Sequence, residues 1–151
     1  MDEIILVPNA EYTINALDER NLISRRLIQM GVLPGSNMRI VRVGPLGKTV
    51  EILIDQGESI ALRTDEIKSL DCTLIALPLF AVKDMNRYYR IRNFLGGRGF
   101  LEKMKRRNLF LTDIIKIIHE DGYKLIKKDG QTIRIGRGEA EKIIVEPVQE
   151  R

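Results

Sequence analysis

Leu22–Val43 reads LISRRLIQMGVLPGSNMRIVRV, and Gly99–Glu120 reads GFLEKMKRRNLFLTDIIKIIHE. At a constant offset of 77, Gly31 falls on Asn108, Pro34 on Leu111, Met38 on Ile115 and Ile40 on Ile117. Few residues are identical, but the apolar positions and the breaks agree. Downstream, Ile60 falls on Ile133, an offset of 73, because the first stretch carries a longer turn region, GPLGKTV at 44–50. Upstream, YTINAL at 12–17 corresponds to RIRNFL at 90–95. Self-similarity at a fixed spacing decides the fold before any local reading does. The exchange of Gly31 for Asn108 gives the repeat a physical basis. A residue just past a helix end takes a left-handed conformation, which glycine accepts freely and asparagine tolerates best among the others.

Each copy reads in the same order. A short strand opens it, Tyr12–Ile14 in the first and Tyr89–Arg92 in the second. A helix follows, about Asn21–Met30, with Leu22, Ile23, Leu27 and Met30 near one face. Asp18 or Asn21 supplies the N-cap oxygen. Pro34-Gly35 suits a type II turn, with proline at its second position and glycine at its third. Strands come next: Met38–Val43, then Val50–Ile54 alternating with Glu51 and Asp55, then Ser59–Leu62. In the second copy Asp129-Gly130 marks a two-residue hairpin between LIKK and TIRI. Ile67–Leu70 and Ile143–Val145 are expected as closing strands. Five short strands and one short helix per repeat make the chain mainly β and point to two small, partly open barrels. The expected division is 1–72 and 73–151. Leu77, Leu79, Phe80 and Val82, in the most apolar run, are expected between the two copies.

With 151 residues, 44% hydrophobic and 30% charged, the chain is globular rather than disordered. A single cysteine excludes a disulfide framework. Together with a single histidine, it also excludes a zinc site built from four cysteines or from two cysteines and two histidines. No apolar run approaches the ~20 residues of a membrane helix, and the N-terminus carries acids rather than the lysines of a signal peptide. A cytoplasmic location is the expectation. There is no GxxxxGK[ST] loop, no GxSxG and no HExxH, so the chain reads as not an enzyme.

Arg26-Leu27, Met30-Gly31, Pro34-Gly35, the Gly44–Gly47 loop and Ile60–Arg63 resemble the FeoA domain. The resemblance covers roughly Leu6–Leu70, and Leu74–Pro147 resembles a degenerate second copy that lacks the MG and PG pairs. It implies tandem SH3-like barrels and a part in ferrous iron transport, or transition-metal handling more broadly. The partner it implies is an FeoB-type ferrous iron permease, met on its cytoplasmic side. It calls for no required cofactor. Any Fe2+ would bind weakly through carboxylates that are scattered along the chain, with the metal ligands unknown. A self-associated oligomer is compatible with the sequence.

Small barrels take peptides at exposed edges and loops. The expected partner-binding surface joins Leu33, Pro34 and Gly35 with Gly44, Pro45, Leu46 and Gly47, and Leu33 and Leu46 are its apolar anchors. The alternative function is nucleic-acid binding through residues 83–107. That segment holds nine basic residues against Asp84 and Glu102. Its expected patch is Arg87, Arg90, Arg92, Arg98, Lys103, Lys105, Arg106 and Arg107. His119 reads as a strand-end surface residue and Cys72 as a buried hydrophobe.

Overall fold

The computed structural model describes residues 3–55 and 57–149. The chain divides into two compact units, one ending at Ile75 and the other beginning at Ala76. The expected junction at 72/73 therefore falls inside a strand, Asp71–Pro78, rather than in a linker. Residues 71–75 of that strand belong to the first unit and residues 76–78 to the second.

The first unit runs β1 (Glu11–Ala16), α1 (Leu22–Gln29), β2 (Asn37–Val43), β3 (Thr49–Ile54), β4 (Ser59–Arg63), α2 (Thr64–Lys68) and the start of β5 (Asp71–Pro78). Its strand order is β4-β3-β2-β1-β5, with β4, β3, β2 and β1 antiparallel in turn. Tyr12, Ile14, Met38, Ile40 and Ile52 alternate inward along the strands and are fully buried with Leu27 of α1. Asn21 caps α1, its Oδ1 accepting from the amides of Ile23 (2.9 Å) and Ser24 (3.3 Å).

Ile67–Leu70 is not a strand. Thr64–Lys68 is helical because Glu66 accepts the Arg63 amide at 3.0 Å and the acids Asp65 and Glu66 suit a helix start. β5 begins only at Asp71.

The second unit continues through β5 to a 3-10 turn (Leu79–Ala81), β6 (Tyr89–Phe94), α3 (Arg98–Arg106), β7 (Ile114–His119), β8 (Tyr123–Lys127), β9 (Thr132–Ile135), α4 (Arg137–Ala140) and β10 (Ile143–Pro147). Its strand order is β5-β10-β6-β7-β8-β9. Among the described residues each unit thus has two α-helices rather than one. The apolar run at 77–82 packs within the second unit, where the 3-10 turn lies against α4 and β10.

The repeat is visible in backbone geometry. Gly31 and Asn108 both take positive φ, 89° and 62°. Val32 donates to the Leu27 carbonyl at 2.9 Å, and Leu109 to the Met104 carbonyl at 3.0 Å. Gly35 donates to Ile14 at 2.7 Å, and Thr112 to Ile91 at 2.8 Å. Gly35 and Thr112 both lie in the left-handed region, at 93° and 71°. The second unit has therefore lost the Pro-Gly sequence but kept the turn.

Candidate functional site

The two expected docking loops are each braced by hydrogen bonds and lie at opposite ends of β2. In the first, Ser36 donates to the Leu33 carbonyl at 3.0 Å, and the Ser36 hydroxyl accepts the Leu33 amide at 3.2 Å. With Pro34 second and a positive φ at Gly35, this is the expected type II turn. It precedes β2. The Gly44–Gly47 loop follows β2 at its other end. Seven residues of extended strand separate the turn from the loop by roughly 20 Å. A partner that meets both must lie extended along the strand rather than fill one pocket.

The Gly44–Gly47 loop is the better-braced of the two. Gly47 donates to the Gly44 carbonyl at 2.9 Å, closing the turn over Pro45 and Leu46. Gly44 donates to Thr49 at 2.9 Å across the hairpin neck. A Cβ at Gly44 would come within 2.5 Å of the Thr49 hydroxyl, so the neck admits only glycine without a shift. The Thr64 hydroxyl donates to the Gly47 carbonyl at 2.6 Å, and the Thr64 amide to Lys48 at 3.0 Å. These bonds tie the loop to the start of α2 and leave Leu46 outside, 82% exposed. Leu33 is 69% exposed. Neither leucine tucks under its loop. The matching β7–β8 connection is a tight turn through Asp121 and Gly122, both at positive φ, and has no counterpart of Leu46.

The basic segment disperses over a loop, β6 and α3. Arg90 and Arg92 face Glu146 at 3.2 and 3.7 Å. Arg98 faces Glu102 at 3.5 Å. Lys103 and Arg107 face Glu139 at 3.0 and 2.8 Å. Arg87 sits over the Tyr89 ring, and Lys105 and Arg106 are exposed on α3. Five of the eight residues of the expected patch therefore meet a carboxylate. Two of those carboxylates, Glu139 and Glu146, come from far along the chain, which is why the local count overstated the field.

Cys72 is fully buried, and burial, with a smaller push from Asp71, raises its thiol to about 11. A thiol held protonated is a poor nucleophile and a poor metal ligand. His119 ends β7 exposed and stacks on Tyr123, ring centroids 4.8 Å apart. Among the described residues no three of His, Cys, Asp and Glu group as metal ligands do. Among them, too, no helix is long and apolar enough to cross a membrane.

The carboxylates Glu66 and Glu139, which join the two helices of each unit, were not singled out in the sequence. Their signal is a glutamate shortly past the end of the fourth strand in both copies.

A family described as the FeoA domain matches residues 6–73. No curated protein matches the chain. Among solved structures, iron(II) transport protein A from Clostridium thermocellum is 31% identical, with a TM-score of 0.54, over 96% of this chain and 86% of that one. A Pseudomonas aeruginosa protein is 34% identical over 46% of this chain and 93% of its own, with a TM-score of 0.35. A FeoA-like protein from Clostridium acetobutylicum is 19% identical over 44% and 77%, with a TM-score of 0.40. With a relative at this identity aligned across both units, and the family's PG, GPLG and IALR residues in the turn, loop and strand just described, the chain belongs to the FeoA family of iron-transport-associated domains.

Proposed function

We propose that this protein is a non-catalytic, cytoplasmic adaptor of ferrous iron uptake that docks on the cytoplasmic side of an FeoB-type permease. Leu46 carries the reading. It stands 82% exposed on a loop fixed by hydrogen bonds at Gly44, Gly47 and Lys48. A rigid loop that presents a large apolar side chain to water gains nothing for its own fold and suits a partner that covers it. The fixed backbone also lowers the ordering cost of association. The adaptor acts through contact and needs no cofactor. A ferrous ion meeting its scattered carboxylates would be held weakly.

The test is calorimetric titration of the permease's cytoplasmic domain into wild type and Leu46→Asp. The expected outcome is affinity reduced at least about tenfold, as for an apolar anchor of an interface, with an unchanged melting temperature. Equal affinity of the two proteins, or unfolding of the variant, would remove Leu46 from the docking site. Residues 83–107 offer little to nucleic acid, because carboxylates face five of the eight cations of that patch.

A further inference from the structure

The second unit carries a cationic face that the 83–107 segment does not contain. Cross-strand register places Lys116 opposite Ile126, Ile118 opposite Lys124, and Lys124 opposite Arg134. Residues paired in this way share one face of a sheet. Their neighbours Ile115, Ile117, Leu125, Ile133 and Ile135 are buried, so this face is the outward one. Lys128 extends it: its ammonium lies 5.8 Å from the centre of the Tyr88 ring, with that of Lys116 at 5.0 Å. Tyr88, Lys116, Ile126 and Lys128 line a shallow groove of about 530 Å3.

These cations have no carboxylate partner among the described residues. Lys116 donates to the Asn86 carbonyl at 3.3 Å and Arg134 to the Glu120 carbonyl at 3.3 Å. Lys127, whose ammonium turns away to Asp113 at 3.1 Å, is already neutralised. Lys124 and Arg134 are like charges directly opposite, an arrangement that costs stability.

The fold does not require Lys124, Lys128 or Arg134. At the same register positions the first unit has Glu51 for Lys124, Asp55 for Lys128 and Ala61 for Arg134, and Glu51 pairs with Ala61 as Lys124 does with Arg134. Lys116 matches Arg39, which pairs with Leu53 as Lys116 pairs with Ile126, so the change of charge is confined to the positions of Lys124, Lys128 and Arg134. By composition the first 75 residues hold eight basic and eleven acidic residues, and the remainder seventeen and ten. The excess of +7 in the second unit is more than the −3 of the first could balance.

We infer that this face of β7, β8 and β9 binds an acidic segment of a partner protein in which apolar residues alternate with carboxylates. The charge calls for a polyanion. The exposed Ile118 and half-buried Ile126 between the cations call for apolar side chains on that partner. A nucleic-acid strand is the weaker fit. It needs open aromatic faces for stacking, and the ring of Tyr88 already has two ammonium groups against it. The surface is independent of Leu46 and stands whether or not that docking loop does.

The probe is a fluorescein-labelled peptide of about twelve residues alternating Glu with Leu or Ala, long enough to cross the three strands. Its anisotropy is measured with the full chain. The comparison variant is Lys124→Glu/Lys128→Asp, which copies the first unit's acids onto the second. A Lys105→Glu/Arg106→Glu variant, which lowers the net charge by the same four units at exposed positions of α3, controls for net charge. Saturable, salt-sensitive binding is expected, weakened at least about tenfold by the first variant and less than about twofold by the second. Circular dichroism should show both variants folded. If the Lys124→Glu/Lys128→Asp variant does not fold, Lys128→Ala alone, in an exposed position, is expected to weaken binding about threefold. Absence of peptide binding, or equal binding by wild type and the variants, overturns the inference. So does binding of oligo-dT but not the peptide through the same lysines, or salt-dependent self-association that accounts for the signal.

Discussion

Glu66 and Glu139, 73 residues apart, make the same pair of contacts in the two units. One oxygen of each accepts the backbone amide three residues before it, Arg63 at 3.0 Å and Gly136 at 2.9 Å. The other faces a cation of the unit's longer helix, Arg26 at 3.2 Å and Lys103 at 3.0 Å. Glu139 adds Arg107 at 2.8 Å. Each glutamate thus ties the short helix after the fourth strand to the long helix after the first.

Burial alone would raise the Glu139 carboxyl, but hydrogen bonds from Arg107, the Gly136 amide and Lys103 outweigh it and lower it to about 2. A carboxyl held below its unfolded value of 4.5 stabilises the fold above that pH, and the stabilisation is lost as pH falls toward 2. Glu139→Gln should cost about 1–3 kcal/mol in urea unfolding at pH 7. Its deficit against wild type should shrink between pH 4.5 and 2. A pH-independent deficit would show that the ion pairs contribute nothing.

The helix stops at Gly31 and Asn108 make a second prediction. A Cβ at Gly31 meets nothing within 4 Å, so the cost of Gly31→Ala comes only from the left-handed backbone. The expected cost is about 1 kcal/mol, and Gly31→Asn should cost less. Asn108→Gly should be near neutral, the easier backbone being offset by loss of the amide bond to Gln131 at 2.6 Å. Denaturant midpoints measure all three. A Gly31→Asn variant less stable than Gly31→Ala would contradict the assignment.

Two leucines in the first unit separate surface from core. Leu46 is 82% exposed, so Leu46→Asp should change stability by less than about 0.5 kcal/mol. Leu27 is fully buried, and Leu27→Ala should cost about 2–5 kcal/mol. Thermal unfolding of the two variants side by side decides it.

The Cys72 thiol gives a spectroscopic check. Raised to about 11 and buried, it should react with Ellman's reagent at about pH 8 only as fast as the protein opens. Labelling should become rapid in denaturant. Fast labelling of the native protein would mean that β5 is not packed as described.

The sequence by itself determined the elements whose cause is local. A cap at Asp18 or Asn21, the left-handed stops at Gly31 and Asn108, the Pro34-Gly35 turn and the alternation of Val50, Ile52 and Ile54 all follow from interactions within a few residues, and the structure chose Asn21 for the cap. The repeat offset carried them from one copy to the other. Tertiary structure alone decided what depends on residues brought together from a distance. Ile67 went to a helix through a local cap that the strand reading passed over, Glu66 on the Arg63 amide, and only the tie from Glu66 to Arg26, 40 residues away, came from tertiary structure. The basic run lost its field to Glu139 and Glu146. Leu33 and Leu46 parted because an extended strand sets a distance that spacing in sequence does not reveal. Lys116, Lys124, Lys128 and Arg134 gathered because cross-strand register puts alternate residues of three strands on one face, and pairing between strands is a long-range choice.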